Sequence, residues 1–144
     1  MPIQFAHDPK LRLIYTRYSG AVGKNDLTAS IRGICQAFCG AGDVDAIHLF
    51  AAGADLSTLS IDALERIKHE AGNYAASGII RRKSALIDAG SSDAMIMAPL
   101  WRALCKTDPN YATQVETFTN LEDACGWLER DVASVRRLAE TLDP

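Results

Sequence analysis

The chain has 144 residues, 48% of them hydrophobic and 23% charged, which fits one globular domain spanning residues 1–144. A net charge of −3 and a pI near 5.5 exclude binding driven by attraction to nucleic acid or to an anionic membrane surface. The longest uncharged apolar run, residues 94–101, is too short to span a bilayer. The opening residues 1–10 lack the charged and apolar regions of a signal peptide, so a cytoplasmic protein is expected.

Residues 3–6 read as a short strand and residues 11–19 as a longer one rich in β-formers, with the turn 7–10 pairing them in an antiparallel hairpin. Asn25 is expected to cap a helix with Leu27, Ile31, Ile34 and Phe38 on its inner face, stopped by Gly40 and Gly42. Residues 45–50 read as a buried strand, followed by a loop of small residues over 51–59. Ser60 caps the next helix, with Asp62 in its first turn and Leu64, Ile67 and Ala71 facing inward, and Gly78 ends it.

Residues 83–88 form the next predicted strand and 89–93 a loop. Pro99 would break a helix interior, so the regular helix is expected to start close to it and run to about Lys106, with 94–98 as a separate turn. Residues 114–118 are the last strand. Asn120 caps a final helix over 121–142, with Ala124, Trp127, Leu128, Val132, Val135 and Leu138 inside. This order predicts an α/β fold: a single open, mostly parallel five-stranded sheet with an N-terminal antiparallel hairpin strand and four main helices.

The four cysteines, Cys35, Cys39, Cys105 and Cys125, fall in helical segments among apolar neighbours and read as reduced, buried thiols. The familiar site motifs fail on chemistry. Gly20 to Asn25 is too short between its glycines for a P-loop and has no hydroxyl after Lys24. Asn73 stands where a zincin helix beginning at His69-Glu70 needs its second histidine, and no metal or other cofactor is expected. His48, inside a strand, reads as a packed or hydrogen-bonded histidine rather than a base, and Arg81-Arg82-Lys83 as a solvated face. In an open α/β sheet, ligands bind outside the carboxyl ends of the strands. That points to the loops 19–24, 51–60 and 88–93, each rich in Gly and Ser and each leading into a helix N-terminus.

The segments Leu13-Ile-Tyr-Thr-Arg-Tyr-Ser-Gly-Ala-Val22, Asp55-Leu-Ser-Thr-Leu-Ser-Ile-Asp-Ala-Leu64 and Val115-Glu-Thr-Phe-Thr-Asn-Leu-Glu-Asp-Ala-Cys-Gly-Trp-Leu128 resemble the STAS-like superfamily, and within it the SpoIIAA-like group of small bacterial proteins. The resemblance spans nearly the whole chain. It implies a regulatory domain without catalytic activity, in which phosphorylation of a serine after the third strand switches partner binding. Here Ala63 stands where that serine would be, which leaves Ser57, Thr58 and Ser60 as substitutes.

Two functions are therefore expected. The first is a non-enzymatic regulatory or protein-interaction module with an unknown protein partner. Its anion, phosphorylation or partner site would comprise Ser57, Thr58, Ser60, Ser91 and Ser92. The alternative follows from the lipid-carrier domains that share the superfamily's shape. It is a carrier or sensor of a small apolar or amphipathic ligand, held near Phe50, Tyr74, Met97 and Trp101, in a cavity of about 300 Å³ or more. No catalytic constellation emerges, and an open strand edge allows a homodimer.

Overall fold

The computed structural model describes residues 2–142; Met1, Asp143 and Pro144 lie outside the described residues. The elements run β1 (Ile3–Asp8), β2 (Leu13–Tyr18), α1 (Lys24–Ala37), β3 (Gly42–Ala51), α2 (Ile61–Glu70), α3 (Asn73–Ala76), β4 (Ile79–Ala89), α4 (Ser92–Lys106), β5 (Gln114–Phe118), α5 (Leu121–Leu128) and α6 (Val132–Ala139). The sheet has five strands in the order β1-β2-β3-β4-β5. β1 pairs antiparallel with β2, and the remaining pairs are parallel.

Period-two alternation divides the strands between two cores. Leu13, Tyr15, Ile47, Ala85 and Ile87 face α5 and α6. Ile14, Val44 and Ile79 face α1, α2 and α4, through Ile31, Ile34, Leu64, Ile67, Met97 and Trp101. The three crossover helices thus share one face because the strand order never reverses. A sheet wound in one direction has no switch point among those three crossovers. Outside the carboxyl ends of β4 and β5, where α4 and α5 leave to opposite faces, lies a shallow cleft of about 340 Å³ bordered by Asp88, Ala94, Phe118 and Asp123.

The fold class holds, and the helix count does not. Five helices of eight residues or more and the single turn α3 replace the expected four. The final helix breaks at Glu129, which adopts a left-handed φ of 58°. Asp131 then caps α6, its Oδ2 accepting from Ser134 N at 3.0 Å. Pro99 does not delay α4. Ser91 caps that helix, whose regular part starts at Ser92. Pro99 lies on the same exposed face as Met95, so the carbonyl left without a donor points toward solvent.

Other boundaries shift as well. Gly23, not Asn25, is the N-cap of α1, with Asp26 Oδ2 accepting from Gly23 N at 2.9 Å. β3 and β4 begin at Gly42 and Ile79, several residues before their apolar runs. The thiols also divide: Cys105 and Cys125 are buried, Cys35 is half-buried and Cys39 is exposed.

One irregularity positions a functional side chain. Val44 pairs with Arg81 and Ala46 with Ser84, so β4 carries an extra residue opposite Asp45. The Asp45 carboxylate caps this bulge, accepting from Lys83 N at 3.0 Å through one oxygen. Its other oxygen accepts from the Arg130 guanidinium at 2.9 Å. Arg130 also donates to the Leu11 carbonyl at 2.7 Å, which pins the α5–α6 joint beneath the β1–β2 turn. The bulge inverts the facing of β4 and turns Arg81 toward the three crossover helices.

Candidate functional site

The loops at the carboxyl ends of the parallel strands are tied together by hydrogen bonds. Val22 N donates to Asp55 O at 2.9 Å and Asp55 N to Gly20 O at 2.7 Å. Leu56 N donates to Asp93 Oδ2 at 2.9 Å. Ser91 is buried and its hydroxyl fully used, donating to Ala54 O at 2.7 Å and accepting from Ala94 N at 3.2 Å. Ser91 therefore presents no free hydroxyl to a ligand or a kinase. Ser57, Thr58, Ser60 and Ser92 are exposed. Ser60 accepts from Ala63 N at 3.1 Å as the cap of α2. Asp55 accepts from Ser57 N at 2.9 Å, so a phosphate on Ser57 would meet a carboxylate held beside it.

A smaller, more enclosed concavity lies elsewhere, between the sheet and α1, α2 and α4. It is a cavity of about 90 Å³ lined by Leu27, Ile31, Ile34, Leu56, Leu59, Leu64, Ile67, Met97, Ala98 and Trp101, with Phe50 and Leu86 on the sheet side. Its polar wall is Tyr18, Ser30, His48, Tyr74 and Arg81. Phe50, Tyr74, Met97 and Trp101, which the sequence suggested as pocket residues, all border this one space. The volume is well below the roughly 300 Å³ expected of a drug-sized pocket. It exceeds several times the ~15 Å³ that one water requires.

The sheet supplies an ordered aromatic row. Tyr18 stacks on Phe50 at 4.6 Å between ring centroids and on His48 at 5.9 Å. Tyr18 Oη and His48 Nδ1 share a hydrogen bond of 2.8 Å. In the tautomer protonated at Nε2, the phenol donates. His48 sits on the central strand with β2 and β4 on either side, is half-buried and lines the cavity. Burial, reinforced by the Arg81 charge, pushes its pKa down to about 3, so the imidazole is neutral at physiological pH. Burial pushes the Tyr18 phenol far above its ordinary range and the Tyr74 phenol up to about 12.

Arg81 stands at the far end of the cavity. Its guanidinium lies 4.2 Å from the Tyr74 ring centroid and 5.9 Å from that of Tyr111, and donates to Tyr111 Oη at 2.9 Å. Beyond it opens a shallower cleft of about 480 Å³ that includes Lys68, His69, Asn110 and Tyr111. Arg81 and Tyr74 border both spaces. Lys68 in that cleft is already held by Glu65 at 3.3 Å and Asp108 at 3.2 Å. Among the described residues no carboxylate comes within 4.0 Å of Arg81. Arg81, Arg82 and Lys83 do not share a solvated face. Arg82 is exposed and pairs with Asp43 at 3.1 Å, and Lys83 lies on the opposite face, 5.1 Å from the Trp127 ring centroid.

Sequence reasoning missed Tyr18, His48 and Arg81 as cavity residues, although the hydrogen bond to Tyr18 fits the reading of His48 as a packed or hydrogen-bonded histidine. Strand phase carried part of the signal. Tyr18 alternates with Ile14 and Thr16, and His48 with Ala46 and Phe50, so both polar rings fall on an inward face. Nothing in the sequence signals the bulge that aims Arg81.

Among the described residues no group of three or more His, Cys, Asp or Glu side chains is placed to hold a metal ion, and no helix is long and apolar enough to cross a membrane. Comparison with protein-family models, curated proteins and solved structures finds no match for this chain.

Proposed function

We propose that this protein is a non-enzymatic binding module that carries or senses a small apolar or amphipathic ligand in the cavity between the sheet and α1, α2 and α4. The observation that carries this reading is a space walled by aliphatic and aromatic side chains, with a few polar groups converging on it from the sheet. A fold selected for packing alone would fill such a space, because interiors approach the density of organic crystals. The expected resemblance to the SpoIIAA-like group, and through it to lipid-carrier domains, belongs with this reading.

The test is a titration of the cavity methyl groups of Leu27, Ile31, Leu64, Ile67 and Met97, followed by NMR, with fragment-sized alcohols and hydrocarbons. Saturable shifts confined to these methyls, and lost in Ala98→Phe, are the expected result. Absence of saturable shifts with every probe would overturn it.

A second reading, a protein-interaction module, draws on a different observation. Ile61 is 58%, Met95 67% and Ile96 69% exposed, each in the first turns of a helix that starts at the carboxyl end of the parallel strands. For a second copy of this chain as partner, sedimentation over a range of concentrations is expected to show a dimer that Ile96→Glu disrupts. A concentration-independent monomer refutes that form of the reading.

A further inference from the structure

We infer that the ligand is a small apolar monocarboxylate, its carboxylate paired with Arg81 at the junction of cavity and cleft and its hydrocarbon part inside the cavity. This rests on the cavity reading above and specifies the ligand's chemistry.

Charge is the first argument. Arg81 is the one full charge bordering the cavity among the described residues, since the neighbouring imidazole is neutral. Its environment holds the cation without neutralising it. Two aromatic faces and one phenol oxygen surround the guanidinium, and no described carboxylate lies within 4.0 Å. The carboxylates nearest in the cleft, Glu65 and Asp108, are engaged by Lys68. A guanidinium presents five N–H donors in a planar fork matched to a carboxylate, and only one donates to Tyr111 Oη.

Geometry is the second. The β4 bulge exists at the position that decides whether Arg81 or Arg82 faces the crossover helices, and the part-buried Asp45–Arg130 pair holds it. The aromatic clamp then fixes the guanidinium at the cavity's end, so an anion entering from the cleft meets a preorganised cation.

Size and charge number complete the class. A 90 Å³ space is smaller than the roughly 150 Å³ cavity that admits benzene, so it takes a hydrocarbon part of about three to five carbons. A single unopposed cation matches one negative charge. A phosphate, with close to two charges and three oxygens, calls for more donors than this wall offers.

The experiment compares propionate, butyrate, isovalerate and hexanoate with their neutral amides, each titrated into the full chain at neutral pH and read by methyl NMR and by the shift in thermal midpoint. The acid is expected to bind about tenfold to a hundredfold more tightly than its amide, as a charge-assisted pair requires. In Arg81→Gln that preference is expected to vanish, while Arg82→Gln leaves it intact. Equal binding of acids and amides overturns the carboxylate assignment but leaves the cavity reading standing. Failure of both series to bind overturns the two together. If Arg81→Gln does not fold, the acid–amide comparison in the unaltered chain still decides.

Discussion

The cavity-lining imidazole of His48 makes stability depend on pH in a window where carboxylates contribute little. Unfolded, His48 has a pKa near 6.5, and in the fold it is pushed down to about 3. The cause is burial first and the Arg81 charge second, while the other titratable groups near it, Tyr18 and Tyr74, stay protonated and uncharged. Below pH 6.5 the unfolded chain therefore takes up a proton that the folded chain refuses, and stability falls as pH falls until about pH 3. Each pH unit inside the window is worth about 1.4 kcal/mol. Integrated from pH 7 to 4.5, His48 alone removes about 2.5 kcal/mol. The lowered carboxyls of Asp55, Asp108 and Asp131 lose their contribution only as pH falls below about 3.8, outside that range. His7, also lowered by burial, adds loss of the same sign. For that reason the measurement is a difference: urea unfolding of the unaltered chain and of His48→Asn at half-unit steps from pH 7 to 4.5. Asparagine keeps an acceptor for Tyr18 while removing the titration. The variant's curve is expected to be flatter by about 2.5 kcal/mol across the range. Parallel curves would refute a neutral imidazole, and with it the assignment of Arg81 as the cavity's single charge.

Four further outcomes follow from particular contacts. Arg130→Ala strips the partner from a buried carboxylate and frees the Leu11 carbonyl, so urea unfolding should show a loss of about 3–5 kcal/mol. The double variant Asp45→Asn with Arg130→Met should lose less than the sum of its parts. Gly78 has a φ of 76°, and an added Cβ would sit 3.1 Å from Gly40 Cα. Thermal unfolding of Gly78→Ala should therefore show a loss of about 2–3 kcal/mol, the left-handed conformation supplying 1–2 of it. A loss under about 0.5 kcal/mol would mean that the turn relaxes at little cost. Thr16 Oγ1 is buried and without a hydrogen-bond partner among the described residues, so Thr16→Val should gain about 1 kcal/mol in chemical unfolding. A loss there would show that the hydroxyl is satisfied in solution.

The succession of strands along the chain and the antiparallel hairpin were legible because the signals were local. Alternation in Leu13–Tyr18 and the apolar runs around Ile47 and Leu86 mark strands, while Ser60 and Asn120 mark helix starts that the structure places at the same residues. The failures occurred where a tertiary contact overrode a local rule. Pro99 sits inside α4 because its missing donor faces solvent and Ser91, anchored to Ala54, fixes the helix start upstream. The last helix breaks because Arg130 is drawn out of it to Leu11 and Asp45, more than eighty residues away in sequence. Only the Asp131 cap could have revealed that break, being an N-cap residue in the middle of an apparent helix.

The site was less legible than the fold for a related reason. Four cavity residues, Phe50, Tyr74, Met97 and Trp101, could be chosen from their type alone, but a charged residue in a strand defaults to the solvent face. Three consecutive cations, Arg81, Arg82 and Lys83, make that default stronger. Each in fact meets a different environment: the cavity, solvent and the opposite core. What separates them is one additional residue in β4, stabilised by a carboxylate on β3 whose other oxygen is held from α5–α6. The part-buried Asp45–Arg130 pair on one side of the sheet thus sets which cation enters the cavity on the other. A part-buried pair of this kind is weak evidence for stability as such. Its position opposite the bulge gives it a different consequence: specifying the facing of Arg81, and so the charge that a ligand in the cavity would meet.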